Sequence, residues 1–257
     1  MNKIQKSFSS NKSLIPYICA GDPNLDLTRE LIYTLAENGS DIIELGLPFS
    51  DPLADGPIIQ EASQRSLKNG TTLNKIISMV KTVNVKTPLI FMGYYNNILQ
   101  YGKNRFINDI KNAGIDGVII PDLPYEEDPN FYNKLKQNNI AGILLIAPNT
   151  TSSRIEEVGN KSSGFLYCVS LLGVTGDARG PYKQMEKYIS RVRKKTDIPL
   201  ALGFGIDGPK KAKVVSKYVD GIIIGSAIID IINKNKSDPE KMKIKVGNFI
   251  SQVKKEI

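Results

Sequence analysis

Eight short apolar segments recur along the chain, and this repeat is the feature that most restricts how it can fold. Each segment is almost continuously hydrophobic and is bounded by turn residues, as expected for parallel strands covered on both faces. Stretches with apolar residues at helical spacing lie between them, for example 25–39 and 101–114. The eight predicted strands are 14–21, 41–48, 88–95, 117–124, 142–148, 164–170, 199–206 and 221–228.

The spacing of these strands indicates the fold class. Consecutive strands start roughly 22 to 47 residues apart, which leaves room for a helix in every connection. The longest connection has room for an extra helix around 58–70, and 238–255 is predicted to be the last outer helix. We therefore expect an α/β fold, a (β/α)8 TIM barrel with extra helices, as a single domain over residues 1–257. A doubly wound open sheet is the alternative.

The chain contains no histidine, which narrows the chemistry that it can perform. Most nucleophilic hydrolase mechanisms and most catalytic zinc sites need that residue, so we expect no metal site. No predicted strand contains lysine, which disfavours a Schiff base inside the barrel. Cys19 and Cys168 lie in apolar segments and are expected to be buried, neither metal ligands nor a disulfide. Acid–base chemistry is therefore left to carboxylates, Tyr, Lys or Cys.

The formal net charge of +8 raises the question of nucleic-acid binding. The lysines are scattered over surface segments without interleaved aromatic residues, so no nucleic-acid partner is expected. No apolar run approaches the ~18 residues that span a membrane. The first residues are basic and Ser-rich and lack the apolar core of a secretory signal. We expect a cytoplasmic protein without a membrane partner, or a plastid stromal one if the source is an alga.

Two carboxylates follow the second predicted strand closely. Functional groups of such barrels lie at the carboxyl ends of the strands and in the loops after them. Glu44 lies among aliphatic neighbours, so burial should raise its pKa and suit it to donate and accept protons. The alternative is a structural Glu with a partner elsewhere. Asp55 lies in a proline-stiffened loop expected to fold over the same pocket, and two carboxylates in unlike environments can divide acid and base roles.

Glycine-rich turns follow the seventh and eighth predicted strands, in LGFGI and IIGSAI. The corresponding loops of many barrels bind phosphate at the start of a helix. Gly205, Gly225 and Ser226 offer unobstructed N–H groups for this purpose. Neither motif contains Lys or Arg, so backbone amides and the helix dipole are expected to hold the phosphate. The alternative is that these glycines serve only as tight turns.

The segment 171–182, LLGVTGDARGPY, follows the sixth predicted strand. Its three glycines, Thr and Arg suit a mobile lid that closes over substrate, and a plain flexible connection is the alternative. Tyr17, Tyr94 and Tyr167 are expected to line a wide, partly apolar pocket beneath it.

Several motifs in order resemble those of the tryptophan synthase alpha chain family. They are IPYICAGDP (15–23), IELGLPFSDPLADGP (43–57), MGYYN (92–96), GVIIPDLPYEE (117–127), LGVTG (172–176), GFGI and GSAI. The resemblance implies a TIM barrel that cleaves indole-3-glycerol phosphate to indole and glyceraldehyde 3-phosphate. It also implies a beta-chain partner in an α2β2 heterotetramer; that partner binds pyridoxal phosphate and receives the indole, while this chain has no cofactor.

The resemblance also implies roles for individual residues. Glu44 would be the acid–base residue, and Asp55 would stabilise the positive charge on the ring nitrogen. Thr175 would meet Asp55 when the lid closes. The phosphate would be held by Gly176, Gly205, Gly225 and Ser226, with Phe204 nearby. The indole and propanol would be enclosed by Tyr17, Ile59, Met92, Tyr94, Ile119, Leu145 and Tyr167. The beta chain would face Asp51, Pro52 and Asn96.

The resemblance has departures and rivals. Tyr17 stands where many relatives have Phe, and Met92 where others have Leu or Thr. Rival functions are another phosphate-binding barrel enzyme, a stand-alone indole-releasing lyase, and a catalytically idle barrel that acts as an allosteric partner. Indole-glycerol-phosphate synthase would need a strand-borne lysine that is absent, and the pair of carboxylates argues against an idle barrel.

Overall fold

The eight predicted strands form one closed barrel. A computed structural model of the chain describes residues 2–9, 11–169, 180–203 and 205–257. The strands are all parallel and are hydrogen-bonded in sequence order, with β1 closing the ring against β8. They are β1 Ser13–Cys19, β2 Ile43–Gly46, β3 Leu89–Met92, β4 Gly117–Ile119, β5 Ala141–Ile146, β6 Leu166–Val169, β7 Leu200–Gly203 and β8 Gly221–Ile224. The (β/α)8 prediction is confirmed, and the open sheet is wrong.

Helices occupy the connections between the strands and cover the outside of the barrel. They are α1 Lys3–Lys6, α2 Leu25–Glu37, α3 Pro57–Lys68, α4 Leu73–Val80, α5 Tyr95–Tyr101, α6 Lys103–Asn112, α7 Pro129–Gln137, α8 Ser152–Lys161, α9 Gly180–Arg193, α10 Pro209–Val215, α11 Ser226–Lys234 and α12 Pro239–Lys255, with a 3-10 turn at Tyr125–Glu127. Side-chain caps fix several starts: the Asn24 side chain accepts from Leu27 N at 2.8 Å, and Asp238 caps α12 in the same way.

The helices of two predicted segments agree with the sequence pattern. The long connection between β2 and β3 contains the extra helix predicted around 58–70, which is α3, and a second helix, α4, whose first turn is capped by the Thr72 side chain. The predicted helix 101–114 corresponds to α6, and a further short helix that was not predicted, α5, precedes it and ends at Tyr101. Gly102, with a φ of 91°, separates the two helices.

Three aspartates at the amino end of the barrel tie neighbouring strands together. Asp41 accepts from Leu14 N at 2.7 Å, Asp116 from Leu89 N at 3.3 Å, and Asp220 from Leu200 N at 2.8 Å. Each is also paired with a cation, respectively Lys254, Lys3 and Arg193. Each aspartate thus satisfies a backbone donor of the preceding strand and has its charge balanced.

Both cysteines are buried and unpaired, as expected. Cys19 lies at the end of β1, and Cys168 lies within β6. Burial raises the pKa of the Cys168 thiol to about 12, so it stays protonated at neutral pH. In the described part of the chain, no helix has the length and apolar character needed to cross a membrane.

Candidate active site

A cavity of about 320 Å³ opens at the carboxyl end of the barrel. Its wall is formed by the ends of several strands and by the turns after β2, β7 and β8. This is the end at which barrels of this class bind their substrates, and the volume suits a small molecule. The lining residues are Tyr17, Glu44, Asp55, Gly56, Ile59, Met92, Tyr167, Gly205, Ile206, Asp207, Lys211, Ile223, Gly225, Ser226 and Ala227.

Glu44 is the buried acid of this cavity. It lies in β2 opposite Tyr17 of β1 and is 1% exposed. Its Oε2 atom has no hydrogen-bond partner among the described residues. Burial raises the pKa of the carboxyl from its ordinary 4.5 to about 8, and the nearby charge of Asp55 adds to the shift. At neutral pH Glu44 therefore holds a proton that no described protein group accepts.

Asp55 is held differently, by a loop with its own hydrogen bonds. The Tyr94 hydroxyl donates to Asp55 Oδ2 at 3.1 Å and accepts from Ala54 N at 3.0 Å. Gln60 Nε2 donates to the Asp55 carbonyl at 2.9 Å. Burial raises the pKa of Asp55 from 3.8 to about 6, although the hydrogen bond from Tyr94 lowers it. Asp55 is therefore mainly ionised at neutral pH, while Glu44 is mainly protonated.

The loop is also fixed at its base. Ser63 Oγ of α3 accepts from Phe49 N at 2.7 Å and donates to Phe49 O at 2.9 Å. The Phe49 ring stacks on Tyr94, with ring centroids 5.1 Å apart. The tyrosine that binds Asp55 is thus positioned by the same loop that contains Asp55.

Two tyrosine rings lie across glycines of neighbouring strands. A Cβ atom on Gly46 would lie 2.0 Å from the Tyr17 hydroxyl, and one on Gly203 would lie 2.2 Å from the Tyr167 hydroxyl. No larger residue fits at either position unless the ring moves. Burial raises the pKa of both hydroxyls well above 10, so both remain neutral and able to donate.

The opposite end of the cavity suits an anion. Ser226 is the first residue of α11, and the N–H groups in the first turn of a helix have no acceptor within the helix. Gly205 has a φ of 79°, a left-handed conformation that glycine adopts readily. Lys211 of α10 also lines this end. The expectation that only backbone amides and the helix dipole face an anion here is therefore incomplete.

Nine of the residues predicted to form the site lie together in the cavity wall. They are Tyr17, Glu44, Asp55, Ile59, Met92, Tyr167, Gly205, Gly225 and Ser226. Tyr94 adjoins the cavity through its hydrogen bond to Asp55. Sequence reasoning missed Lys211 and Asp207, which lie just after the GFGI motif. The one available signal was an acid and a base four residues apart, a spacing at which side chains pair when the segment is helical.

Other predicted residues are placed elsewhere or cannot be placed. Ile119 is fully buried, and Leu145 lines a separate cavity of about 160 Å³ with Arg154. Neither belongs to the described wall of the main cavity. Asp51 and Asn96 are exposed, whereas Pro52 is buried in the isolated chain. Thr175, Gly176, Phe204 and most of the predicted lid 171–182 lie outside the described residues.

The fold and this cavity define a barrel enzyme whose acid–base groups are carboxylates and tyrosines. Among the described residues, no group of three His, Cys, Asp or Glu side chains is arranged to hold a metal ion. One acid holds a proton at neutral pH, the second is ionised, and an anion-binding turn lies at the far end. Such a site can transfer protons to and from a small anionic substrate.

Comparisons with known proteins identify the family. A family model described as tryptophan synthase alpha chain matches residues 4–257. The tryptophan synthase alpha chain of Petrotoga mobilis is 54% identical over 256 residues, which cover 99% of both chains. That of Clostridium kluyveri is 46% identical over 264 residues, which cover 100% of both. The crystal structure of tryptophan synthase subunit alpha from Legionella pneumophila is 34% identical, has a TM-score of 0.91, and covers 100% of this chain and 98% of its own.

The chain belongs to the tryptophan synthase alpha chain family. It is accordingly a lyase subunit of tryptophan biosynthesis.

Proposed function

We propose that the chain cleaves indole-3-glycerol phosphate to indole and glyceraldehyde 3-phosphate, with Glu44 and Asp55 as the catalytic residues. The observation that supports this most directly is the unequal acidity of two carboxyls in one cavity, with pKa values of about 8 and about 6. At neutral pH this difference provides a proton donor and a fixed negative charge without histidine or metal.

The reaction is a retro-aldol cleavage. Protonated Glu44 gives its proton to the indole carbon that bears the glycerol side chain, and the ring nitrogen becomes positively charged. Ionised Asp55 stabilises that charge. The Glu44 carboxylate then takes the proton of the adjacent side-chain hydroxyl. As the carbon–carbon bond breaks, its electron pair restores the aromatic ring, the hydroxyl carbon becomes an aldehyde, and Glu44 is protonated again.

The remaining predicted residues orient this substrate. In the proposal, Gly205, Gly225 and Ser226 hold the phosphate at the start of α11, together with Gly176 and near Phe204. The indole and propanol are enclosed by Tyr17, Ile59, Met92, Tyr94 and Tyr167. Thr175 reaches Asp55 from the lid. The phosphate binds away from the reacting carbon and holds that carbon between Glu44 and Asp55. This positioning lowers the entropic part of the activation free energy.

A beta chain that binds pyridoxal phosphate is the proposed partner, in an α2β2 assembly that receives the indole. The proposed contact face includes Asp51, Pro52 and Asn96. Exposed apolar side chains adjoin these positions, since Leu53 is 93% exposed and Leu99 is 48% exposed. Large exposed apolar residues beside polar ones are typical of protein–protein contacts. A single barrel domain over residues 1–257 and a cytoplasmic location complete the proposal.

An assay of indole release from indole-3-glycerol phosphate tests the function. The full chain is measured alone and with a tryptophan synthase beta chain. We expect slow release from the chain alone and faster release in the complex. Equal rates in both samples would instead support a stand-alone lyase. No release from either sample would refute the enzymatic proposal and favour an idle barrel.

A further inference from the structure

We propose that Lys211 is the counter-ion of the substrate phosphate, and that Asp207 competes with the phosphate for it. This inference rests on the function proposed above and assigns to the same site a basic side chain that none of the sequence motifs contains. It also makes phosphate affinity depend on an ion pair rather than on backbone amides alone.

The geometry places Lys211 at the anion-binding end of the cavity. Its Nζ donates to Asp207 Oδ2 at 2.6 Å and to the Gly205 carbonyl at 3.2 Å. Lys211, Asp207 and Gly205 all line the cavity, as do Gly225 and Ser226. The lysine side chain is 37% exposed, and that of Asp207 is 68% exposed. The ammonium group is therefore already directed toward the proposed phosphate turn by the backbone that forms it.

The charge balance of the cavity supports the assignment. Three carboxylic acids line the described wall, namely Glu44, Asp55 and Asp207, and Lys211 is the one basic side chain among the described lining residues. A phosphate monoester brings close to two negative charges at neutral pH. Without a cation at this end, it would meet Asp207 as a like charge in a partly desolvated site.

The pair also has a simple way to exchange partners. Lys211 and Asp207 are four residues apart at the start of α10, and such largely exposed pairs contribute little to stability. A phosphate offers more charge and more acceptor oxygens than the carboxylate does. Lysine is a flexible point charge and can move from one partner to the other with little rearrangement. Asp207 thus holds the cation in place in the free enzyme and lowers the affinity for phosphate.

The test compares Lys211→Gln with Lys210→Gln, which is a matched control. Lys210 precedes it directly, is exposed and does not line the cavity, so the two variants change the net charge equally. Steady-state kinetics with indole-3-glycerol phosphate gives the KM and kcat of each variant. Inorganic phosphate and indole are then tested separately as inhibitors, and each gives an inhibition constant. Asp207→Asn and the double variant, which combines Asp207→Asn with Lys211→Gln, complete a double-mutant cycle.

We expect Lys211→Gln to raise the KM and the inhibition constant of phosphate by about three- to tenfold, a typical loss for a partly exposed charged hydrogen bond. The kcat and the inhibition by indole should stay within about twofold, as should every constant of Lys210→Gln. Asp207→Asn should lower the KM, and the double variant should match Lys211→Gln alone.

Equal KM increases in Lys211→Gln and Lys210→Gln would overturn the proposal, because the effect would then come from the net charge of the chain and not from the position of Lys211. An unchanged KM in Lys211→Gln would overturn it too. These results are distinct from a failure of the proposed function, in which the native chain binds inorganic phosphate but releases no indole.

Discussion

The acids at the two ends of the barrel have opposite surroundings. At the amino end, Asp41, Asp116 and Asp220 each accept a backbone N–H and each face a cation. At the carboxyl end, Glu44 and Asp55 have no cationic partner among the described residues, and the pKa of each is raised by burial. Carboxyl side chains therefore stabilise strands at one end, and at the other end they provide one protonated acid and one ionised carboxylate.

The difference shows how a barrel separates stability from chemistry. A carboxylate that faces a cation and accepts a backbone N–H has its charge balanced and its hydrogen bonds satisfied in the folded state. A buried carboxyl without such partners costs folding free energy, and that cost is tolerated where proton transfer needs it. Four substitutions test this difference between the two ends of the barrel.

Glu44→Gln should have the largest effect. Glutamine keeps the shape and the neutral charge of the protonated acid but can neither give up nor take a proton. We expect kcat for indole release to fall by about 10³-fold while the KM changes little, because the lost interaction exists only in the transition state. Steady-state kinetics with the beta chain present measures both. A variant with more than a tenth of native kcat would rule out Glu44 as the proton donor.

Asp55→Asn should be the next most damaging. The amide cannot offer a negative charge to the ring nitrogen, so we expect kcat/KM to fall by about 10²-fold. The native rate should decline below a pH of about 6, where Asp55 becomes protonated, and that decline should weaken in the variant. Asp41→Asn is the matched control at the amino end and should keep native kcat. Equal losses in the two variants would mean that Asp55 is structural.

The strands and Glu44 were predictable from sequence for the same reason. A parallel strand buried on both faces needs a continuous apolar segment, so an acid within one stands out. Strand limits were less predictable, because buried residues such as Ile120 and Leu123 extend the fourth segment beyond β4. Helix α5 was not predicted, because it follows β3 closely and its N-cap residue, Tyr94, makes no side-chain capping hydrogen bond.

The phosphate end was only partly predictable. The glycine turns have a recognisable sequence, whereas Lys211 resembles any lysine on a solvated helix. Its place in the cavity wall depends on tertiary contacts, since its Nζ donates to the Gly205 carbonyl at 3.2 Å. The hydroxyl of Tyr94 next to Asp55 likewise depends on the path of the loop, which apolar periodicity does not determine.

The third prediction concerns the stability cost of Glu44. The pKa of Glu44 is about 8 in the folded chain and near its ordinary 4.5 when unfolded, so the folded state holds the proton more tightly. Native stability should therefore fall as pH rises from about 4.5 to about 8. Glu44→Gln lacks this loss and should gain about 4 kcal/mol relative to native between pH 5 and pH 9. Urea unfolding at both pH values measures it; a pH-independent difference would contradict the raised pKa.

Asp41→Ala should have the smallest effect and the opposite sign. It leaves the buried Leu14 N–H without its acceptor and Lys254 without its partner, at a cost of about 1 to 2 kcal/mol. A loss of that size lowers the melting temperature by about 2 to 4 °C per kcal/mol in a chain this long. Activity at 25 °C should stay native, because the residue lies at the end of the barrel remote from the cavity. If kcat fell together with stability, strand pairing at the amino end would have to position Glu44, and the two ends would not be independent.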